Sequence, residues 1–333
     1  LLEDVYTLND FILGDFENPM SNRPRTPLRS RQETTGLARP VPYLITEFNG
    51  HMYPTKSGDQ EQRQAEHVIR HLDVLNAAFG DPAVAGAIGW CFFDYNTHKD
   101  FGSGDRICHH GVSTIFREPK FAAYAYASQI DPSERVVMQP VSFFARGERN
   151  IGGILPLVVL TNCDEIEFRY GDSLTKRVGP DRERYPHLPH PPVIFDHRQF
   201  SAGEMGLWGM SWEDCEVLGF LGGKEVVRRR YVADPLPTRL EVAPDATALD
   251  AAARDEVRVI VRALDQAGNV LPFLADAIRI EVEGPGRLIG PAKVHLAGGT
   301  AGFWLVAGGA KGAVRVRLTS DRFAPVALEL RAE

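Results

Sequence analysis

The sequence lacks an apolar run long enough to cross a bilayer, although 44% of its 333 residues are hydrophobic. A membrane-spanning helix needs about 20 consecutive apolar residues. The sequence also lacks a long basic stripe, and its formal net charge is -7. Because nucleic-acid binding depends on cations that displace phosphate counterions, we expect neither a nucleic acid nor a membrane as a partner. The one dense cationic run, Arg228-Arg229-Arg230, is interpreted as a solvated strand face.

Cysteine is also scarce, with four residues at positions 91, 108, 163 and 215. Their spacing matches neither a zinc site nor a disulfide scaffold, so we expect reduced, structural thiols. His98, His109 and His110 lie close to two of these cysteines in the sequence, yet they complete no recurring zinc pattern. We therefore predict no metal site and no cofactor in this chain, while a cation in the full-length protein stays open.

Residue 1 is Leu, and no apolar signal stretch precedes the first motif. We expect the sequence to be the later portion of a longer chain, with the earlier portion as its partner. Assembly into a homo-oligomer stays open. The compartment also stays open, with the cytoplasm favoured.

Strand and helix signals alternate in the first region, residues 1–132. This alternation predicts parallel strands joined by crossovers. A complete (β/α)8 TIM barrel needs about 250 residues, so we predict the C-terminal part of a barrel catalytic domain, with its last three strands. The candidate elements are strands at 1–6, 41–47 and 83–93, a loop at 18–39, and helices at 59–80, capped by Asp59, and at 119–129.

The helical spacing disappears after this region. Residues 133–234 show short alternating segments typical of a β-sandwich, and Gly222-Gly223 between two of them is a hairpin signal. A Pro-rich linker at 234–237 comes next, and residues 235–333 show regularly spaced strands that suit an immunoglobulin-like β-sandwich. The sequence therefore predicts a multidomain α/β plus all-β protein, with its chemistry in the first region.

Glu47 follows the apolar stretch 41–46, and Gly89-Trp90 begins a polar and aromatic cluster at the end of the next candidate strand. In a barrel, active sites are assembled at the carboxyl ends of the strands, so Tyr6, Glu47 and Trp90 are expected to converge on one rim. An indole face offers an apolar platform for the C–H face of a sugar, and nearby polar side chains can bond its hydroxyls. The rim therefore suits a carbohydrate.

Three segments carry a family resemblance: Ile45 to Pro54, Gly89 to Asn96, and Arg117-Glu118-Pro119-Lys120. They resemble glycoside hydrolase family 2, and within it the β-galactosidases. The later regions resemble the β-sandwich modules that follow the barrel in these enzymes. The resemblance implies a retaining glycoside hydrolase, here as the carboxyl-terminal part, that acts on terminal β-D-galactosides through a covalent glycosyl-enzyme.

The resemblance also implies roles for individual residues. Glu47 would be the nucleophile, and Tyr6 would donate a hydrogen bond to it. Trp90 would form the floor of the sugar subsite, with further substrate contacts from His51, Asn96 and Lys99. The acid/base of this family is a Glu preceded by Asn, and no Asn-Glu pair occurs in the sequence. The second carboxyl group is therefore expected outside this chain, and the chain alone is expected to be inactive.

One departure from the family pattern narrows the substrate. Where the β-glucuronidases carry an Asn-x-Lys pair before a glycine, this chain has Cys108-His109-His110-Gly111. Without that cation, a sugar carboxylate loses its obvious partner, so glucuronides are disfavoured, although Lys99 could in principle compensate.

Each predicted site residue also has a structural alternative. Glu47 could face solvent or pair with an arginine, and Trp90 and Tyr6 could be packed aromatic residues. His51, Asn96 and Lys99 could be ordinary loop or solvated side chains. At the level of the whole protein, the alternatives are a non-catalytic carbohydrate-binding or scaffolding protein and a different exo-β-glycosidase specificity.

Overall fold

The first part of the chain contains a sheet of three parallel strands, in the order β1-β2-β3. They are β1 (Tyr6–Asn9), β2 (Tyr43–Glu47) and β3 (Val84–Ala87). The computed structural model describes residues 4–11, 28–36, 41–50, 53–144, 154–205 and 212–333. Parallel pairing of these strands confirms the pairing that the sequence predicts. β3 is shorter than the candidate strand 83–93, because its regular pairing with β2 ends at Ala87.

Helix α2 (Glu61–Gly80) forms the crossover from β2 to β3. Val68, Leu72 and Leu75 are buried on one face and join Tyr43 and Ile45 in one hydrophobic core. Burial of each such side chain contributes roughly 1.5–3 kcal/mol, which fixes the helix on the sheet. No described helix is long and apolar enough to span a membrane.

The predicted cap of α2 is wrong in detail. The residue before the helix is Gln60, which makes no side-chain capping bond. Asp59 instead accepts a hydrogen bond from the Lys56 N–H at 2.8 Å and pairs with Arg63 at 3.3 Å. Its carboxylate therefore closes the preceding turn and cannot reach the first free N–H groups of the helix.

Two short helices complete the α/β part. Helix α1 (Arg31–Thr35) lies within the stretch 18–39 that we predicted as a loop, most of which falls outside the described residues. Ser30 and Glu33 form a capping box at its start, a signal readable in the sequence. Helix α3 (Ala123–Ala127) is shorter than the predicted helix at 119–129.

The rest of the first compact unit, Leu1–Arg230, is mainly β-sheet. The elements are β4 (Tyr95–Asn96), β5 (Ile107–Cys108), β6 (Met138–Pro140), β7 (Leu157–Thr161), β8 (Glu165–Tyr170), β9 (Leu174–Val178), β10 (Val193–Phe195), α4 (Ala202–Met205), β11 (Cys215–Leu221) and β12 (Lys224–Tyr231). One sheet has the order β10-β7-β6, and another has the order β12-β11-β8-β9. Phe168 of one sheet contacts Phe195 of the other, with ring centroids 5.4 Å apart, so these two sheets face each other.

The second compact unit, Tyr231–Glu333, consists of two β-sheets around one core. Their orders are β13-β15-β19-β17 and β14-β21-β20-β16-β18. Val259 and Leu305 of the first sheet share this core with Ile280 and Val316 of the second. The strands are β13 (Arg239–Pro244), β14 (Ala248–Leu249), β15 (Glu256–Leu264), β16 (Ala277–Glu283), β17 (Gly286–Ile289), β18 (Lys293–His295), β19 (Thr300–Ala307), β20 (Gly312–Thr319) and β21 (Val326–Ala332). The unit is a β-sandwich, while its immunoglobulin-like topology and the boundaries of the three predicted domains stay predictions.

Candidate active site

Glu47 is the last residue of β2, and an irregular register changes the direction of its side chain. Leu8 pairs with Ile45, but the next residue, Asn9, pairs with Glu47, so Thr46 is an extra residue in β2. Ile45 and Phe48 both lie in the core with α2. Strict alternation would put Glu47, not Phe48, on the same face as Ile45, so the extra residue turns Glu47 away from that core. Glu47 is only partly buried.

Trp90 is bound to the segment that follows Glu47. Its backbone N–H donates to the Phe48 carbonyl oxygen at 2.9 Å, and Asn49 and Trp90 form a parallel bridge. One step earlier, the Ile88 N–H donates to the Ile45 carbonyl oxygen at 2.9 Å. These bonds continue the pairing of β2 with β3 past both strand ends. The structure thus brings the backbone of Glu47 and the backbone of Trp90 together, as the sequence predicts for strand ends in a parallel sheet.

Gly50 allows the close approach of this segment to the indole. Its φ is +61°, and a Cβ atom there would lie 2.7 Å from Trp90 Cδ1. Asn49 also has a positive φ of 64°. Asn49 is buried, and its amide nitrogen and oxygen have no hydrogen-bond partner among the described residues. Buried amides are normally satisfied, so this side chain is available to an ordered water or a ligand hydroxyl.

A chain of polar aromatic contacts begins at the Trp90 indole. Trp90 Nε1 donates to Tyr95 Oη at 3.2 Å, and Tyr95 Oη lies 3.4 Å from His110 Nδ1. Because an indole N–H can only donate, the Tyr95 hydroxyl accepts from Trp90, whereas the direction of the contact with His110 depends on the tautomer of the imidazole. Burial raises the pKa of Tyr95 to about 12, so the phenol keeps its proton. The Phe101 ring packs edge-on against His110, with centroids 5.4 Å apart.

His110 and Phe101 also line a cleft of about 530 Å³. Phe101 is 41% exposed, so part of its ring surface is accessible in this cleft. The cleft combines this aromatic ring with cationic and hydroxyl groups, the mixture that binds polar ligands with apolar faces. Its lining residues are Pro54, Lys56, Asp59, Arg63, Phe101, Gly102, Ser103, Ile107, His109 and His110.

Tyr6 does not stand beside Glu47 in the strand register. Tyr6 pairs with Tyr43 at the beginning of both strands, and Asn9 pairs with Glu47. Three residues along a strand correspond to roughly 10 Å. Tyr6 packs against the core that contains Tyr43 and Ile45, the core from which Glu47 is turned away. The packed-aromatic alternative therefore describes Tyr6 better than a hydrogen bond to Glu47.

The other predicted binding residues differ in their surroundings. Asn96 is exposed in the β4–β5 hairpin, where it pairs with Ile107. Lys99 is exposed and pairs with Asp100 at 3.6 Å. Neither side chain lines the cleft described above. His51 lies outside the described residues.

The residues that sequence reasoning missed are Tyr95, Phe101 and His110 around the indole. All three lie in the segment 89–111 that the Trp90 cluster begins, and a search for further aromatic side chains there would have found them. Among the described residues, no group of three or more His, Cys, Asp or Glu side chains could hold a metal ion. The four cysteines are free thiols in the structure, and three of them, Cys108, Cys163 and Cys215, are buried.

Comparison with known proteins identifies the family to which this chain is related. The family described as "Glycoside hydrolase family 2 C-terminal domain 5" matches residues 240–329. A β-galactosidase of Rhizobium meliloti is 63% identical over 300 residues, which cover 90% of this chain and 40% of that protein. A β-galactosidase of Rhizobium radiobacter is 49% identical over 120 residues, which cover 36% of this chain and 87% of that protein.

A solved structure shares the fold. The crystal structure of a β-glycosidase from Bacteroides vulgatus matches with a TM-score of 0.70 and 15% identity, over 99% of this chain and 45% of that chain. The chain spans about 40% of the length of its Rhizobium meliloti relative. On the strength of the sequence relatives, the chain belongs to glycoside hydrolase family 2. The resemblance predicted from the sequence is therefore confirmed.

Proposed function

We propose that this chain is the carboxyl-terminal part of a retaining β-galactosidase that removes terminal non-reducing β-D-galactosyl groups. Its relatives named β-galactosidase support the substrate class. The three parallel strands and α2 would be the end of a TIM barrel, whose earlier strands lie outside these 333 residues. A chain that spans about 40% of a relative is consistent with this division.

Glu47 would be the nucleophile of a double displacement. Its carboxylate oxygen bonds to the anomeric carbon while the bond to the leaving oxygen breaks, and a second carboxyl group gives its proton to that oxygen. Water then attacks the anomeric carbon, the second carboxylate takes a proton from the water, and the bond to Glu47 breaks. The observation that carries this assignment is the backbone pairing of the segment after Glu47 with Trp90.

Trp90 would present its indole face to the sugar ring, and the Asn49 amide, which has no hydrogen-bond partner among the described residues, would bond a hydroxyl. A binding role for His51, Asn96 or Lys99 stays a prediction, and the register gives no support to the predicted role of Tyr6. The second carboxyl group is placed outside this chain, so we expect the 333 residues alone to show no turnover.

The test uses the full-length protein that contains this chain. Glu47→Gln should lower kcat on an aryl β-galactoside by roughly four to six powers of ten, because the nucleophile is lost, while the fold is retained. Glu134→Gln is the matched control, since Glu134 is exposed in the turn before β6. Turnover by Glu47→Gln within tenfold of the parent would reject the assignment.

The substrate class is tested with a panel of aryl β-glycosides. We expect kcat/KM to be highest for the β-galactoside and low for the β-glucuronide. Cys108-His109-His110-Gly111 supports this order, because His109 is held between Asp94 and Asp105, both at 3.2 Å, and so is not free to pair with a sugar carboxylate. Preference for the β-glucuronide would overturn the specificity and leave the family unchanged.

A further inference from the structure

A buried ion pair lies behind the candidate site. Lys120 Nζ is 2.7 Å from Asp94 Oδ1, and the two side chains are 0% and 4% exposed. Burial lowers the pKa of Lys120, and the Asp94 carboxylate opposes that change. Removing two charges from water costs about as much as their attraction returns, so such a pair adds little stability by itself. What matters is therefore which segments of the chain the ion pair holds in position.

The Asp94 carboxylate holds a second segment of the chain as well. Its Oδ1 accepts a hydrogen bond from the Gly111 N–H at 2.9 Å, and its Oδ2 lies 3.2 Å from His109 Nδ1. A side chain at Gly111 would bring a Cβ atom within 2.2 Å of the Phe93 carbonyl carbon. The segment 109–111 is thus pressed against the segment 93–94 and bonded to it at two points, with His110 between them.

Lys120 holds a third segment. Its Nζ donates to the Thr55 carbonyl oxygen at 2.6 Å, and the Thr55 N–H donates to the His109 carbonyl oxygen at 2.9 Å. Thr55 lies eight residues after Glu47, at the far end of the loop that contains Asn49 and Gly50. The ion pair therefore connects three segments of the chain. The first follows Glu47, the second contains Trp90 and Tyr95, and the third contains His110.

We propose that Asp94 and Lys120 are positioning residues that fix the Trp90 indole, Tyr95 and His110 relative to the Glu47 segment for sugar binding. The pair touches no substrate itself. Its effect on sugar binding rests on the function proposed above, whereas its effect on the Trp90 geometry does not. A purely structural pair would stabilise the fold without setting the position of the indole. Removal of a positioning pair changes the Trp90 fluorescence, whereas removal of a purely structural pair does not.

The geometry is tested in this chain without any turnover. Of the four tryptophans, Trp208, Trp212 and Trp304 are replaced by Phe, so that Trp90 is the sole fluorophore. Asp94→Asn and Lys120→Met are then introduced together, which removes both charges and leaves neither partner buried as a lone ion. We expect emission at longer wavelength and a larger acrylamide quenching constant. The matched control is Glu204→Gln with Lys176→Met. It removes an ion pair that lies away from the site, in which Lys176 Nζ and Glu204 Oε1 are 2.9 Å apart.

A second variant covers the case in which the double variant fails to fold. His109→Gln removes one contact of Asp94 and leaves the ion pair in place. It should shift the Trp90 emission in the same direction by a smaller amount. Unchanged Trp90 emission and quenching in a folded double variant, or in His109→Gln, would overturn the proposal.

The effect on sugar binding is measured in the full-length protein. The double variant should raise KM for an aryl β-galactoside by roughly tenfold with a smaller change in kcat, because the indole platform binds substrate and transition state alike. If KM stays within about twofold of the parent value, the role in binding is overturned. If the parent protein has no β-galactosidase activity while the Trp90 signal shifts, the proposed function fails and the positioning role stands.

Discussion

Trp90 donates its backbone N–H to the carbonyl oxygen of Phe48, the residue after Glu47, across 2.9 Å. This bond lies beyond the ends of both strands, where parallel pairing would normally have stopped. It gives the candidate nucleophile and the candidate sugar platform a common backbone frame. A substitution in the segment after Glu47 should therefore alter the surroundings of the Trp90 indole, and a substitution at Trp90 should alter the position of that segment.

Gly50→Ala tests that frame. The added Cβ would meet Trp90 Cδ1 at 2.7 Å, and the positive φ adds strain of its own. We expect a loss of about 2 to 4 kcal/mol in the free energy of unfolding, together with altered Trp90 fluorescence. The measurement is urea unfolding of the variant in which Trp90 is the sole tryptophan.

Gly222→Ala is the matched control for this prediction. Gly222 has a φ of +54° in the β11–β12 turn, and a Cβ there would meet nothing within 4 Å. It should cost only about 1 kcal/mol and leave the Trp90 signal unchanged. If both substitutions lowered the free energy of unfolding by the same amount, contact with the indole would not be the reason why position 50 requires glycine.

A buried histidine pair predicts acid sensitivity. His71 Nδ1 lies 2.7 Å from Tyr126 Oη, and His71 Nε2 lies 3.2 Å from His67 Nε2. Burial lowers the pKa of His71 to about 3 and holds the pKa of His67 well below its usual range. Between about pH 6.5 and 3, the unfolded chain binds protons that the native chain does not, so acid favours unfolding.

The free energy of unfolding of the first unit, measured by urea unfolding, should therefore fall between pH 7 and pH 5 by up to about 2 kcal/mol for each histidine. His67→Gln with His71→Gln should reduce this pH dependence. His98→Gln should keep it, because the His98 side chain is 71% exposed. If the parent protein, the double histidine variant and His98→Gln all showed the same pH dependence of stability, groups other than His67 and His71 would be its cause.

The second unit should fold as a separate body, because its two sheets enclose one core. Within residues 231–333, Leu305→Ala should cost about 2–5 kcal/mol, since Leu305 is fully buried. Leu236→Ala is the control, because Leu236 is 52% exposed and should change stability by less than about 0.5 kcal/mol. Thermal unfolding of the excised unit checks both values, and the absence of a cooperative transition would contradict the prediction.

Local patterns in the sequence predicted a substantial part of the fold. The apolar spacing of α2 gave its length to within two residues, and Gly222-Gly223 indicated the hairpin between β11 and β12. Strand β2 ends at Glu47, as its apolar run predicted. These features depend on neighbours in the chain, which is why periodicity and turn residues reveal them.

The features that were missed depend on contacts between distant residues. The extra residue at Thr46 changes which residue of β1 stands beside Glu47, and no pattern in either strand marks it. Asp94 and Lys120 are 26 positions apart and meet only after the loop between them has folded. Helix α1 is a different case, because its Ser30–Glu33 capping box was readable and the Pro-rich surroundings concealed it.

The most direct test of the account is covalent trapping of the full-length protein with an aryl 2-deoxy-2-fluoro-β-galactoside. The fluorine slows hydrolysis of the glycosyl-enzyme, so the labelled carboxylate can be located by digestion and mass spectrometry. We predict one added fluorogalactosyl group on the peptide that contains Glu47, and none in the Glu47→Gln protein. A label on another carboxylate, such as Asp10, or labelling that persists in Glu47→Gln, would contradict the account.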